Sequence, residues 1–410
     1  MSAHLPQSSE LSSWKQIANY LGVAVRTAQV WERERGLPVR RLPGPRGIVS
    51  ASIAELESWR IGGQSNPVPV ASDPTSWWWS RQKILLAMLV LVASIGLVAA
   101  RFHPTAEPFN ARVEEHALAV FDARGHELWQ TAFGPALSPL SWRPNEQRVW
   151  IGDLDGDGTP EVLFGRRNAI PSGDDALICF SVSGRELWRF SPGRTVQTKA
   201  GTYPPPYSVR ALAVTKLDGR TVIALSSSQN PNAPAQISLL TADGKILGEY
   251  WHFGHLPHLM FHEQSGRTLL YLGGIHNSDS TATVIVLDPM LLRGVRQGNN
   301  GPFLGIERLT ETESVVFPRS RMNERFESYN GVEHFESVNG GLTVHVQERY
   351  GTGHGVTTLM YNLDYGLRLR EIGPTDLFIL DHKNLLPSAG SADEELVRLT
   401  NAYRTMQPSK

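Results

Sequence analysis

The chain has 410 residues, enough for two folded domains and a membrane span. Its 39 Lys+Arg against 40 Asp+Glu leave a formal charge of −1, which excludes a globally basic nucleic-acid binder and requires charge to be read segment by segment. The single cysteine, Cys179, excludes an intramolecular disulfide framework and a multi-cysteine metal site, while 37 Gly and 27 Pro point to many tight turns in a β-rich region.

Ser13 with Gln16 is a capping-box pair, and Trp14, Ile17, Ala18 and Leu21 fall at i, i+3, i+4, i+7. They predict a short helix with one buried face, closed at Gly22. A second helix is predicted from about Val25 to Arg35, with Val25, Ala28 and Trp31 inward and Arg26, Gln29, Val30 and Arg33 on another face. Two short helices joined at a glycine, the second one basic, form the helix-turn-helix pattern, whose second helix enters the major groove. Residues 37–42, a Pro-Gly-Pro-Arg-Gly turn and Ile48-Val49 read as a hairpin wing whose Arg40, Arg41 and Arg46 could reach phosphates. Ser52 and Glu55 open a helix that buries Ile53, Leu56 and Trp59. Residues 1–60 carry 8 Lys/Arg against 5 Asp/Glu, so the basic character is local. A solvated basic face on a protein-interaction module is the alternative reading of the same spacing.

The run Trp14-Lys15-Gln16-Ile17-Ala18-Asn19-Tyr20-Leu21-Gly22, then residues 25–34, then Gly36-Leu37-Pro38-Val39, resembles the winged helix-turn-helix of the MerR/excisionase class over residues 11–60. That resemblance implies that Arg26, Thr27, Gln29 and Arg33 face bases or phosphates and that Arg46 lies on the wing.

Residues 61–83 read as a linker rich in Gly, Ser, Asn and Pro. Residues 84–100, Ile84 through Ala100, hold no charge and no proline, and at about 1.5 Å per residue they cover roughly 25 Å, close to a bilayer's hydrocarbon core. Trp77, Trp78 and Trp79 precede the run, and Arg81, Lys83 and Arg101 bracket it, as at a membrane interface. The run predicts a transmembrane helix, not a signal peptide, since about eighty residues of folded-looking sequence precede it. Placing a DNA binder with DNA gives a bacterial inner (plasma) membrane protein, single-pass, with its N-terminus cytoplasmic. Gly96 and Ala100 form a small-xxx-small step that offers a route to a homodimer.

After a second linker, 101–114, a repeat begins. Phe121-Asp122-Ala123-Arg124-Gly125-His126-Glu127-Leu128-Trp129 returns as Phe180-Ser181-Val182-Ser183-Gly184-Arg185-Glu186-Leu187-Trp188, and more weakly over 240–248. Each copy is a strand, a glycine turn and a strand. Further strand pairs lie between the copies, over 149–164, 209–225 and 259–272. Four strands per unit, repeated in series, predict a β-propeller over 115–385 with room for five to seven blades, followed by a helical tail over 386–410 capped by Ser391 and Glu394.

One turn carries chemistry. Gly152-Asp153-Leu154-Asp155-Gly156-Asp157-Gly158-Thr159-Pro160-Glu161 places carboxylates at alternate loop positions, with glycines that permit a tight curl. A hard Ca²⁺ ion takes six to eight oxygens, so Asp153, Asp155, Asp157, Glu161 and the Thr159 carbonyl are the candidate ligands of one site. The loop, with Val162-Leu163-Phe164-Gly165 after it, resembles the calcium loops of FG-GAP (integrin-type) and VCBS repeats. A solvated acidic turn is the alternative. The histidines at 252, 255, 258 and 262 are broken up by Gly254 and Pro257 and read as scattered turn and strand residues. No Gly-x-Ser-x-Gly, His-Glu-x-x-His or Cys-x-x-Cys occurs, and no catalytic residue is assigned.

The fold class expected is therefore multidomain: a small α (winged helix-turn-helix) domain over 1–60, one transmembrane helix over 84–100 and an all-β propeller-like domain. The function expected is a membrane-anchored one-component transcriptional regulator, not an enzyme, with one Ca²⁺ site. Its expected partners are DNA, membrane lipid, an extracytoplasmic ligand and a second copy of the chain. The alternative is a Ca²⁺-stabilised binding or adhesion propeller whose N-terminal module does not read DNA.

Overall fold

In the computed structural model, which describes residues 10–41, 49–62, 107–141, 143–170, 173–229, 233–299, 301–350 and 355–407, the chain divides into two units, Met1–Phe102 and His103–Lys410. In the first unit β1 (Glu10–Leu11) precedes α1 (Trp14–Leu21), where the Ser13 hydroxyl accepts the Gln16 N–H at 3.3 Å. That cap satisfies a donor that the helix start leaves unpaired. Gly22, at φ 70°, ends α1 in the left-handed conformation that costs a glycine little. α2 (Val25–Arg35) ends the same way at Gly36. β2 (Arg40–Arg41) and β3 (Val49–Ser52) complete an antiparallel sheet of order β1-β3-β2, and α3 (Ile53–Gly62) follows directly. Ile17, Ala18, Ala28, Leu37, Ala51 and Leu56 form the core, with Trp31 and Trp59 packed at its edge, ring centroids 5.8 Å apart. Val25, expected inward, opens α2 ahead of the turn that packs and is 38% exposed.

The second unit is a succession of antiparallel meanders. The first sheet holds β4 (Asn110–Val113), β5 (Ala117–Phe121) and β6 (Glu127–Ala132). The second holds β7 (Val149–Gly152), β8 (Glu161–Arg166), β9 (Ala176–Phe180) and β10 (Glu186–Phe190). A ribbon of β11 (Val196–Thr198) and β12 (Gly201–Tyr203) leads to the third, formed by β13 (Tyr207–Leu217), β14 (Arg220–Gln229), β15 (Ala235–Thr241) and β16 (Ile246–His252). The fourth starts with β17 (Gly254–Gln264), β18 (Arg267–His276) and β19 (Thr281–Leu287). The chain then returns to the third sheet, adding β20 (Gly294–Gln297) parallel to β16 and β21 (Glu307–Arg308) parallel to β20, before β22 (Glu313–Val316) closes the fourth. The fifth contains β23 (Asn330–Val338), β24 (Gly341–Tyr350), β25 (Gly355–Leu363) and β26 (Leu369–Pro374). α4 (Arg321–Arg325) precedes the fifth sheet, while α5 (Asp376–Leu385) and α6 (Ala392–Met406) follow it.

Successive strand residues point to opposite faces, and here both faces of the middle sheets are covered. On β14, Ile223 and Leu225 join a core with Leu163, Leu177 and Cys179 of the second sheet. Their neighbours Val222 and Ala224 join Leu256, Leu259, Leu270 and Leu272 of the fourth. Tyr271, Val284 and Val286 of the fourth sheet pack in turn on Phe335, Val344 and Tyr361 of the fifth, under Leu399 and Tyr403 of α6. The second, third and fourth sheets are thus each sandwiched between their sequence neighbours. The leading strands β13, β17 and β23 all pack against one 3-10 turn, Pro144–Glu146, so they share an axis.

The expected fold class is corrected by this arrangement. A β-propeller-like fold dominates the described chain, and the N-terminal unit mixes its helices with a three-stranded sheet instead of being a small α domain. No described helix is long and apolar enough to cross a membrane, and residues 84–100 lie outside the described residues. The longest described helix, α6, has 15 residues and carries Asp393, Glu394 and Glu395 in its first turn. The transmembrane helix and lipid partner, read from that apolar run with its flanking tryptophans and basic residues, and the single-pass inner-membrane location with a cytoplasmic N-terminus, read from a DNA binder sharing a compartment with DNA, are corrected by the same finding.

Candidate functional site

The link from first to second strand differs among the sheets. In the third, fourth and fifth it is a two-residue turn with both residues at positive φ: Asp218 and Gly219, Ser265 and Gly266, Asn339 and Gly340. Such turns match the right-handed twist of a hairpin. Only the second sheet, between β7 and β8, places the acidic loop of residues 153–160 there. Gly156 at φ 90° and Gly158 at φ 86° supply its curl, a conformation in which a Cβ would be strained. Asp153 accepts the Gly156 N–H at 2.7 Å and the Gly158 N–H at 3.1 Å through its two oxygens, and Asp155 accepts the Asp157 N–H at 3.1 Å. Leu154, 1% exposed, pins the loop into the core between the second and third sheets.

Glu161 opens β8 and is buried, its Oε2 accepting the Leu154 N–H at 3.0 Å. One oxygen each from Asp153, Asp155 and Glu161 lies within 4.8 Å of the others, the one such group of potential metal ligands among the described residues. Burial holds the Glu161 carboxyl above its ordinary pKa despite the Leu154 hydrogen bond, and Asp155, Asp157 and Asp153 push it further. Three oxygens converging under mutual repulsion fit a hard divalent cation, which would offset most of their charge. Asp157 stands outside this group, its Oδ1 accepting the Thr159 N–H at 2.7 Å. The histidines at 252, 255, 258 and 262 do not converge on a metal position among the described residues.

In the N-terminal unit, Arg26 and Arg33 are exposed on α2, with Thr27 and Gln29 half-buried between them. Arg40 instead pairs with Glu55, and Arg41 makes a two-pronged pair with Glu32, its Nη2 2.8 Å from Oε2. Both were expected to reach phosphates, yet each already faces a carboxylate of its own unit. Arg46 lies outside the described residues.

A second constellation escaped the sequence reading because its members come from separate segments. Around the turn Pro144–Glu146, Arg143 pairs with Glu333 at 2.7 Å, and Glu146 lies 3.5 Å from His258 Nδ1. The buried Arg148 donates to the carbonyls of Gly165, Ser138 and Pro139 at 3.0, 2.6 and 2.6 Å. Arg167 follows β8, and Arg210 lies on β13, its Nε 2.7 Å from the Ser228 hydroxyl. No local motif links these positions.

The second unit is propeller-like. Its sheet topology carries that conclusion, and three solved structures accompany it. The WD40 domain of Neurospora crassa Pan2 is 12% identical, covering 66% of this chain and 68% of that one at a TM-score of 0.32. BamB from Moraxella catarrhalis is 11% identical, covering 66% and 86%, at 0.33. A mutant of the Synechocystis apocarotenoid oxygenase is 10% identical, covering 62% and 66%, at 0.28. Scores this low decide nothing about function. No protein-family model and no curated protein matches the chain. The expectation of a transmembrane transcription regulator is corrected accordingly, since the described chain is dominated by propeller-like sheets and no described helix can cross a membrane.

Proposed function

We propose that the chain is a non-catalytic binding protein whose propeller-like unit presents the binding surface, stabilised by one Ca²⁺ ion at the loop between β7 and β8. The convergence of Asp153, Asp155 and Glu161 within 4.8 Å carries the metal component of this reading. The ion would supply positive charge where three carboxylates crowd, with Asp157 and the Thr159 carbonyl available to complete its oxygen shell. The chain's own share is positional: Leu154 anchors the loop in the core, and the two left-handed glycines let alternate acids face inward. A ligand that binds only the folded state raises stability by mass action. The full chain should therefore melt higher in Ca²⁺ than in EGTA, and Asp155→Ala should abolish the difference. A wild type indifferent to EGTA would remove the ion.

A second, narrower reading concerns the N-terminal unit and rests on the exposed Arg26 and Arg33 of α2. These two exposed guanidiniums would be the ones to touch nucleic-acid phosphates, whereas Arg40 and Arg41 are held by Glu55 and Glu32. Anisotropy of a labelled duplex against the full chain tests it. Arg33→Ala should weaken binding and flatten its salt dependence, and Arg41→Ala should do so less. Absence of salt-dependent binding would sink this reading and leave the first untouched.

A further inference from the structure

The leading strands of the third, fourth and fifth sheets all break register in their first half. β13 shifts between Val209 and Ala211, β17 between His255 and His258, and β23 between Val332 and His334. A bulge re-aims the side chain within it. Here Glu333 reaches Arg143 beside the central turn, and Arg210 stands within the β13 bulge beside Ser228. Hydrogen bonds from Leu212 N–H to the Gln147 carbonyl (2.7 Å) and from Phe335 N–H to Asn145 Oδ1 (3.0 Å) fix two of these strands to the same segment.

The charges gathered there do not cancel. Arg143 and Glu333 form a pair, which leaves Arg148, Arg167 and Arg210 against Glu146 and Asp175. Arg148 is spent on three carbonyls and acts as framework. Asp175, 4% exposed, takes the Asn168 N–H at 2.9 Å, with the Ser208 hydroxyl also beside its carboxylate. Arg166 lies 3.7 Å from Asp174. The half-buried Arg167 guanidinium makes no hydrogen bond or close ion pair among the described residues, yet it interacts electrostatically with Arg210, Asp175 and Glu146. His255 Nδ1 is buried without a partner beside the same two arginines.

We infer that this axis holds a binding site for a small oxyanion, a carboxylate or a phosphate, gripped by the guanidiniums of Arg167 and Arg210 with an N–H from His255. A planar guanidinium fork suits either anion, and a half-buried site strengthens the attraction relative to water. His255 serves as a neutral donor, since burial and the nearby Arg210 hold its pKa well below the ordinary value. Asp175 sets the selectivity, its carboxylate favouring anions that bring a proton or carry limited charge.

This inference rests on the reading of the second unit as a binding module. The experiment uses the full chain in Ca²⁺, with thermal unfolding and titration calorimetry against inorganic phosphate and succinate at constant ionic strength, chloride as control. One of the two anions should raise the melting temperature saturably, and the one preferred identifies the ligand chemistry. Arg167→Gln should abolish the response while melting like wild type in chloride, because its guanidinium bonds nothing within the described protein. Asp175→Asn should tighten binding several-fold by removing a competing charge, a gain that a purely structural role would not produce. Wild type indifferent to both anions, or Arg167→Gln responding as wild type does, overturns the site. A chain that ignores anions but still loses stability in EGTA overturns this site alone and leaves the calcium reading standing.

Discussion

The indole of Trp129, on the first sheet, closes over Gly184, in the turn of the second. Its Nε1 donates to the Val182 carbonyl at 3.0 Å, and a Cβ placed on Gly184 would lie 2.7 Å from the ring. Trp188 repeats the contact on Gly244 of the third sheet, again at 2.7 Å. The recurring glycine-to-tryptophan spacing is thus a clasp between adjacent sheets, in which the tryptophan of one copy needs the glycine of the next. Both glycines also hold positive φ, 82° and 76°.

Gly184→Ala should therefore destabilise the second unit twice over, through backbone strain and through displacement of the indole, by about 1–3 kcal/mol. Trp129→Ala should cost about 3 kcal/mol. The double variant should cost clearly less than the sum, because one contact is shared. Denaturant melts of the three variants check this, and strict additivity would refute the clasp.

What could be read from the chain beforehand followed the range of the interactions. Ser13, Gln16 and Gly22 mark α1 through local caps, and the hairpins around Gly125, Gly184 and Gly244 show because their motif repeats. The acidic loop was legible for the same reason: its donors sit within nine residues of chain, 153–161. The return of β20 to β16 left no trace, since a four-residue parallel strand depends on its neighbour and not on its own pattern. α5 fell inside the stretch read as propeller, although Thr375 caps it by accepting the Phe378 N–H at 3.3 Å. Arg148, Arg167, Arg210 and His255 are brought together only by folding. The transmembrane reading drew on one run and its flanking tryptophans and basic residues, a local pattern that carries no tertiary information.

Glu348 should give the fifth sheet a pH dependence of unusual sign. It is fully buried, accepts from Ser320 N–H, Ser320 Oγ and Asn330 Nδ2 at 3.2, 2.9 and 3.0 Å, and is pushed up to about 7, chiefly by burial. The folded chain holds this proton more tightly than the unfolded one. Its contribution is complete below the ordinary value of 4.5 and is lost as pH rises towards 7. His252 and His258, both lowered to about 4 by burial, act oppositely and lose stability as pH falls below 6.5. The wild-type profile mixes the two, so the measured quantity is wild type minus Glu348→Gln. That difference should decline between pH 4.5 and 7, by up to about 1.4 kcal/mol per unit, and a flat difference would contradict the assignment.

Cys179 should be inert in the native chain. It is fully buried on β9, and its thiol is pushed up to about 12 by burial first and by Glu161 and Asp155 after that. Thiolate is the reactive form. A chromogenic disulfide reagent should leave the folded protein untouched and label one thiol in guanidinium chloride; rapid native labelling would contradict the packing described.

Arg148→Met should cost about 3–5 kcal/mol, because the Gly165, Ser138 and Pro139 carbonyls would lose their charged donor in a buried setting. Arg167→Met, with no such bonds to lose, should cost far less. Equal losses in denaturant melts would show that charge number, not hydrogen bonding, matters at the axis.

The detour of the chain through β20 and β21 also laces two sheets together. The third sheet cannot release its outer edge without pulling on the segment that runs into β22, and the fourth cannot complete itself until that segment has been laid down. A single proteolytic nick between Arg308 and Glu313 would leave every strand in place yet cut the crossing from β21 to β22. The outer edge of the third sheet could then open without drawing on β22.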